Sequence, residues 1–186
     1  MRKTILIVFT ILMYGCLPAQ LKSIFPTASF TDSLSRVIND AGQNYYSIQG
    51  ISIANETDRD SYQSKVTLPG SVQCMIYRYH SVEDTTASWQ AIMYKGENYK
   101  EAVKSYRQTF RFVKRSRIAV ENKNVAFEGN MEEPDESLRF RVSTLRTNIP
   151  GSAYNNFIAE VEMINTYEGW EVHLNLQRRK NDMERY

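Results

Sequence analysis

Leu68-Pro69-Gly70-Ser71 and Ile149-Pro150-Gly151-Ser152 each lead into a run of residues with β-strand character that ends near a tryptophan. The first run reaches Trp89 and the second reaches Trp170, so each tryptophan follows the glycine of its turn by 19 residues (89 − 70 and 170 − 151). Similar motifs at equal spacing indicate an internal repeat. The sequence therefore predicts two similar structural units in tandem.

Each predicted unit begins with an amphipathic helix, because apolar residues recur there at the 3.6-residue period. The first helix carries Phe30, Leu34, Val37, Ile38 and Ala41 on one face, with Ser29 or Thr31 as its N-cap; the second begins at Asn98 and carries Tyr99, Ala102, Val103, Tyr106, Phe110 and Val113. Strand-like runs with alternating apolar and polar residues follow each helix, and this alternation is typical of antiparallel sheets with one buried face. It is clearest where Trp170, Val172, Leu174 and Leu176 alternate with Glu171, His173, Asn175 and Gln177.

This pattern predicts an α+β fold made of two tandem repeats, each a helix followed by a four-stranded antiparallel sheet (αββββ) in two layers. We place the first unit at residues 30–96 and the second at residues 97–178. A tether is expected at residues 20–29 and a charged tail at residues 179–186.

The N-terminus has the features of an export signal. Basic residues at Arg2 and Lys3 precede an apolar run from Ile5 to Met13, which is too short to span a bilayer. Residues 1–19 form a signal peptide if cleavage follows Ala19; alternatively, the signal ends before Cys16 and that cysteine is lipidated. The expected location is therefore outside the cytoplasm, either periplasmic or secreted, or anchored to a membrane as a lipoprotein.

Charge and cysteine content exclude some function classes. The whole chain has 23 basic and 21 acidic residues, and the leader holds two of the basic ones, so the mature chain has 23 − 2 = 21 of each. This neutral balance gives no support to nucleic-acid binding. Cys74 is the only cysteine besides Cys16, so no disulfide is expected, and its apolar neighbours predict a small buried side chain.

No pattern of catalytic or cofactor-binding residues is present. Ser71 and Ser152 follow the Pro-Gly turns without the G-x-S-x-G context of a hydrolase nucleophile, and we interpret both as turn residues. His80 with Glu83 and Asp84 is too weak a set to predict a metal site, and His173 is interpreted as a surface residue. We therefore expect neither a metal nor a cofactor.

Two surfaces are candidate binding sites. The first is an aromatic face on the strands at 72–79 and 88–94, formed by Met75, Tyr77, Tyr79, Ile92 and Tyr94. Such a face either packs against the other unit or forms an exposed site for a partner. The second is a basic stripe at helical spacing on the second helix, Lys100, Lys104, Arg107 and Arg111, which either binds anions or is simply the solvated side of that helix.

The tandem αββββ order resembles that of BLIP-like modules (β-lactamase-inhibitory-protein-like) and of PepSY-like modules of exported proteins. The leader and the repeated Pro-Gly turn also resemble a group of uncharacterised exported proteins of Bacteroidetes-type bacteria. The first resemblance implies a two-layer fold, but the disulfides of the secreted inhibitors are missing here.

Three functions follow as hypotheses. The first is a non-enzymatic exported module that binds an unknown protein or small ligand of the cell envelope, touching a membrane only through a lipid anchor. The second is a protein inhibitor of an exported hydrolase, which rests on analogy of fold. The third is an enzyme whose carboxylates are dispersed along the sequence.

Overall fold

The computed structural model describes residues 25–80, 87–120, 123–147, 154 and 156–178. These residues form two helices and ten strands. The first half contains α1 (Ala28–Ala41), β1 (Gln49–Asn55), β2 (Arg59–Ser64), β3 (Gln73–Tyr79) and β4 (Ala87–Gly96). The second half contains α2 (Tyr99–Arg115), β5 (Ile118–Val120), β6 (Lys123–Val125), β7 (Phe127–Glu128), β8 (Phe140–Thr147), β9 (Phe157–Thr166) and β10 (Gly169–Arg178). The predicted signal peptide with Cys16, the Pro150-Gly151 turn and the charged tail at 179–186 lie outside the described residues.

Eight of the strands form one antiparallel sheet in the order β1-β2-β3-β4-β10-β9-β8-β7. The α+β class with a large antiparallel sheet is therefore confirmed. The halves share this sheet and join edge to edge through the pairing of β4 with β10. The short strands β5 and β6 form a separate hairpin.

Both helices pack on the same face of the sheet. A single core contains the apolar residues of α1 and α2 together with one alternating set of strand residues, which includes Cys74, Trp89, Val161 and Leu174. The strand residues whose side chains point to the other side of the sheet do not belong to that core, although Ile158 among them is buried. We call this other side the open face of the sheet.

Local hydrogen bonds explain where the helices begin. Asn98 caps α2 as predicted, because its side-chain oxygen accepts from the backbone N–H of Lys100 at 3.0 Å and of Glu101 at 3.3 Å. The predicted cap of α1 was wrong, since the cap is Thr27, which accepts from the N–H of Phe30. The helix therefore starts inside the segment that we predicted to be a tether.

A β-bulge interrupts β4 where it pairs with β10. Ile92 lies opposite His173, but Tyr94 lies opposite Val172, so Met93 is an extra residue in β4. An extra residue reverses the alternation of the side chains that follow it. Tyr94 consequently lies on the helix face of the sheet with Met93, and Ile92 stays on the open face.

The turn between β9 and β10 brings two backbones unusually close. Gly169 has a φ of +108°, and a Cβ atom at this position would lie 2.7 Å from the carbonyl oxygen of Gly96. Gly70 in the first Pro-Gly turn also has a positive φ, +86°, but a Cβ there would meet no atom within 4 Å. Ser71 closes that turn by donating its N–H to the carbonyl of Leu68 at 3.0 Å, which agrees with its interpretation as a turn residue.

Candidate functional site

Four of the five predicted aromatic-face residues lie together on the open face of the sheet. Met75, Tyr77 and Ile92 are half-buried between their strand neighbours, and Tyr79 is 45% exposed. We call these four residues the aromatic patch. Because the two halves join edge to edge, the second half does not stack over the patch as one alternative from the sequence required, although Ile92 lies opposite His173 of β10.

The fifth residue, Tyr94, is not part of the patch. The bulge at Met93 turns Tyr94 to the helix face, where its hydroxyl donates to the carbonyl oxygen of Asn98 at 3.2 Å. There it lines a small cavity of about 200 Å³ between α2 and the Pro-Gly turn at Gly70. The prediction for Tyr94 assumed uninterrupted alternation along β4 and fails for that reason.

Hydrogen bonds hold the patch to the middle of the sheet. The Tyr77 hydroxyl donates to the Gln90 side-chain oxygen at 3.3 Å, and the Gln90 amide donates to Asn175 on β10 at 2.8 Å. The guanidinium carbon of Arg59 lies 5.0 Å from the centre of the Tyr77 ring. Burial raises the pKa of Tyr77, so the phenol stays protonated at neutral pH and remains a hydrogen-bond donor. The patch is therefore a supported surface rather than a set of loose side chains.

Beside the patch, β9 and β10 bring together Glu162, Glu171 and His173, which we call the acid–histidine cluster. The His173 Nε2 atom lies 2.9 Å from a carboxylate oxygen of Glu171, and its Nδ1 atom lies 3.9 Å from one of Glu162. The His173 side chain is only 13% exposed, although it points to the open face. The interpretation of His173 as a surface residue does not predict this cluster, in which its side chain is largely buried between two carboxylates.

The two carboxyl groups of the cluster respond differently to their surroundings. Burial raises the pKa of Glu162, and a hydrogen bond with Asn175 and the nearby His173 offset this only in part. Burial also acts on Glu171, but hydrogen bonds from His173 and Lys95 outweigh it, so the pKa of Glu171 is lowered. Glu171 is therefore more readily ionised than Glu162.

A third carboxylate lies next to the cluster. Glu160 is only 6% exposed, and one of its oxygens accepts a hydrogen bond from the Gln177 amide at 2.8 Å. Among the described residues, no group of three or more histidine, cysteine, aspartate or glutamate side chains is arranged to hold a metal ion. His80 pairs with Asp60 at 3.0 Å, whereas Glu83 and Asp84 lie outside the described residues.

The predicted basic stripe divides into residues with different environments. Lys104 pairs with Glu101 at 3.1 Å and Arg107 pairs with Glu133 at 2.6 Å, so two of its four charges face carboxylates. Lys100 is exposed, and Arg111 lines a separate pocket at the end of α2. The four residues therefore do not form one continuous anion-binding surface.

Comparisons with protein-family models, with curated proteins and with solved structures find no match for this chain. In the part of the chain that the structure describes, neither helix combines the length and the apolar character needed to cross a membrane.

Proposed function

We propose that this chain is an exported, non-enzymatic binding module whose partner contacts the open face of the sheet. The observation that supports this proposal is the one-sided packing of the fold. Both helices cover one face, while the other face carries the aromatic patch directly beside the acid–histidine cluster. An apolar surface that neither described helix covers, and that polar residues border, is typical of an interaction site.

The composition of this face favours a protein partner over a small molecule. Tyrosine, methionine and arginine are enriched in protein interfaces, and the face offers Tyr77, Tyr79, Met75 and Arg59 close together. Small ligands bind in concave pockets, and two pockets among the described residues are lined by residues of α2 on the helix side, away from this face. The partner that fits best has an apolar patch adjacent to lysine or arginine side chains, which would meet Glu171 and its neighbours.

We also infer that the two halves are tandem αββββ repeats. The strand order supports this inference, because β1-β2-β3-β4 is followed across the joint by β10-β9-β8-β7. The two Pro-Gly turns are separated by 81 residues (151 − 70), and Ile92 pairs across the joint with His173, which follows it by the same 81 residues. A two-fold axis that relates the two halves would pass through the pair Ile92 and His173. The β5–β6 hairpin has no counterpart among the described residues of the first half and would then be an insertion in the second half.

The double substitution Tyr77→Ser and Tyr79→Ser tests the binding function. A partner is first captured from an envelope fraction with the wild-type chain and then purified, and its affinity is measured by calorimetric titration. We expect the double variant to bind at least about tenfold more weakly, because central aromatic residues of an interface each contribute more than ~1 kcal/mol. The matched control is Tyr167→Ser, which removes a fully exposed tyrosine from the turn between β9 and β10.

Equal affinity of the wild type and the double variant would contradict the proposal. So would loss of cooperative unfolding in the double variant, because the patch would then be part of the core. If the captured partner is a hydrolase, the same titration repeated as a rate assay shows whether the module inhibits it.

A further inference from the structure

A second pocket lies at the C-terminal end of α2, away from the open face. It has a volume of about 620 Å³ and is lined by Phe25, Phe110, Arg111, Lys114, Arg115, Arg117 and Met131. We call it the α2-end pocket. Its volume falls within the range of roughly 300–1,000 Å³ that is usual for small-molecule sites.

The apolar part of this pocket is continuous with the core of the protein. Phe110 is 4% exposed and belongs to the core, and Met131 packs against it. Phe25 is 60% exposed and adds a second aromatic ring at the rim. The pocket therefore has an apolar floor that a hydrocarbon chain can contact.

The rim of the pocket is strongly basic. Its four cations, Arg111, Lys114, Arg115 and Arg117, are all exposed, and none of the described residues that line the pocket is acidic. Lys114 donates to the carbonyl oxygen of Gly129 at 2.6 Å. Neither Arg111 nor Arg117 forms an ion pair with any carboxylate in the described parts of the chain.

The helix itself explains only half of this charge. Cations in the last turn of a helix interact favourably with its dipole, and Lys114 and Arg115 occupy that turn. Arg111 lies one turn earlier, and Arg117 lies beyond the end of the helix. A ligand with negative charge gives these two arginines a role that the fold does not.

We propose that the α2-end pocket binds an anion with an aliphatic chain, with its phosphate or carboxylate group between Arg111 and Arg117 and its chain on Phe110 and Met131. Guanidinium groups bind phosphate and carboxylate through paired hydrogen bonds, which makes arginine well suited to such head groups. A membrane phospholipid and a soluble phosphate ester are two sources of this chemistry. This site is separate from the open face and goes beyond the function proposed above.

Calorimetric titration of the full chain tests the proposal with three probes: dihexanoyl phosphatidylglycerol as a monomer, dihexanoyl phosphatidylcholine, and inorganic phosphate. We expect the first probe to bind most tightly, because it alone combines a net negative head group with acyl chains. The variant with Arg111→Gln and Arg117→Gln should bind it at least about tenfold more weakly, as each lost hydrogen bond to a charged group contributes substantially. The variant Met131→Ser should bind phosphatidylglycerol more weakly than the wild type does and bind inorganic phosphate equally well.

The matched control carries Lys100→Gln and Arg107→Gln, which remove two charges from the same helix outside the pocket, and it should bind within about twofold of the wild type, as expected for solvent-exposed charges. An equal loss in this control would overturn the proposal, because the effect would then be one of net charge. Equal binding of phosphatidylcholine would overturn it by removing the role of the negative head group. Binding of inorganic phosphate as tight as that of phosphatidylglycerol would overturn the proposal, because the acyl chain would then contribute nothing and the pocket would be a simple anion site.

Discussion

Replacing Gly169 with alanine tests whether the joint between the two halves depends on the close approach of two backbones. Gly169 has a φ of +108°, which residues with a side chain rarely adopt. A Cβ atom there would lie 2.7 Å from the Gly96 carbonyl oxygen, 2.9 Å from its carbonyl carbon and 3.1 Å from the Glu97 Cα atom. All three are backbone atoms, so the end of β4 and the start of β10 must move apart to accommodate the added methyl group.

Two costs combine in this variant. The unfavourable backbone conformation costs about 1–2 kcal/mol for a residue with a Cβ atom. Displacing well-packed structure to fit an added methyl group costs a further 1–3 kcal/mol or so. We therefore expect the free energy of unfolding to fall by about 3 kcal/mol, which corresponds to a decrease in melting temperature of roughly 6–12 °C for a chain of this size.

Thermal and urea unfolding followed by circular dichroism measure this loss. The matched control is Gly70→Ala, since Gly70 has a φ of +86° but a Cβ atom there meets nothing within 4 Å. This control isolates the backbone cost and should lower the free energy of unfolding by about 1–2 kcal/mol. Equal losses in the two variants would refute the argument that the approach of Gly169 to Gly96 limits this joint.

Three further predictions concern ionisation, exposure and stacking. Burial raises the pKa of Glu162, so the stability that its neutral form contributes is complete below the ordinary pKa and is lost as the pH rises through the folded pKa. Glu162→Gln should therefore be more stable than the wild type at about pH 7 and lose this advantage below about pH 4. Urea titrations at the two pH values measure the difference in free energy of unfolding, and a difference that does not vary with pH would contradict the prediction. Cys74 is 2% exposed and burial raises the pKa of its thiol, so iodoacetamide should alkylate it only after unfolding in urea. Peptide mass spectrometry distinguishes Cys74 from Cys16, and rapid alkylation of the folded protein would contradict the prediction by showing that Cys74 is accessible. The guanidinium of Arg78 lies 3.8 Å from the centre of the Tyr46 ring and donates two hydrogen bonds. Arg78→Ala should therefore lower the free energy of unfolding by about 1–3 kcal/mol, and Arg78→Lys should recover only part of this loss. Full recovery by lysine in urea unfolding would show that the positive charge alone matters.

Signals that depend on neighbouring residues in the sequence predicted the structure well. The capping of α2 by Asn98 is such a signal, because donor and acceptor lie within three residues of each other. The alternation along β10 correctly placed Leu174 in the core and Asn175 on the opposite face. These features follow from local backbone geometry, which a single segment determines.

Features that depend on pairing between distant segments were not predictable in the same way. Alternation placed Glu162 and His173 on polar faces, but only the register of β9 against β10 makes them neighbours. The bulge at Met93 inserts one residue without any sequence mark, and it moved Tyr94 to the other face. Arg107 looked like a free cation until the fold brought Glu133, 26 residues away, within 2.6 Å.

The position of β10 has a consequence for how the chain is made. Of the strands that the structure describes, it is the last to leave the ribosome, yet it lies in the middle of the sheet between β4 and β9. Until translation reaches this segment, both neighbouring strands have unpaired backbone edges, and such edges are templates for aggregation. A premature stop codon shortly before Gly169 would therefore divide the sheet and leave the edges of β4 and β9 unpaired, so the truncated product should be prone to aggregate.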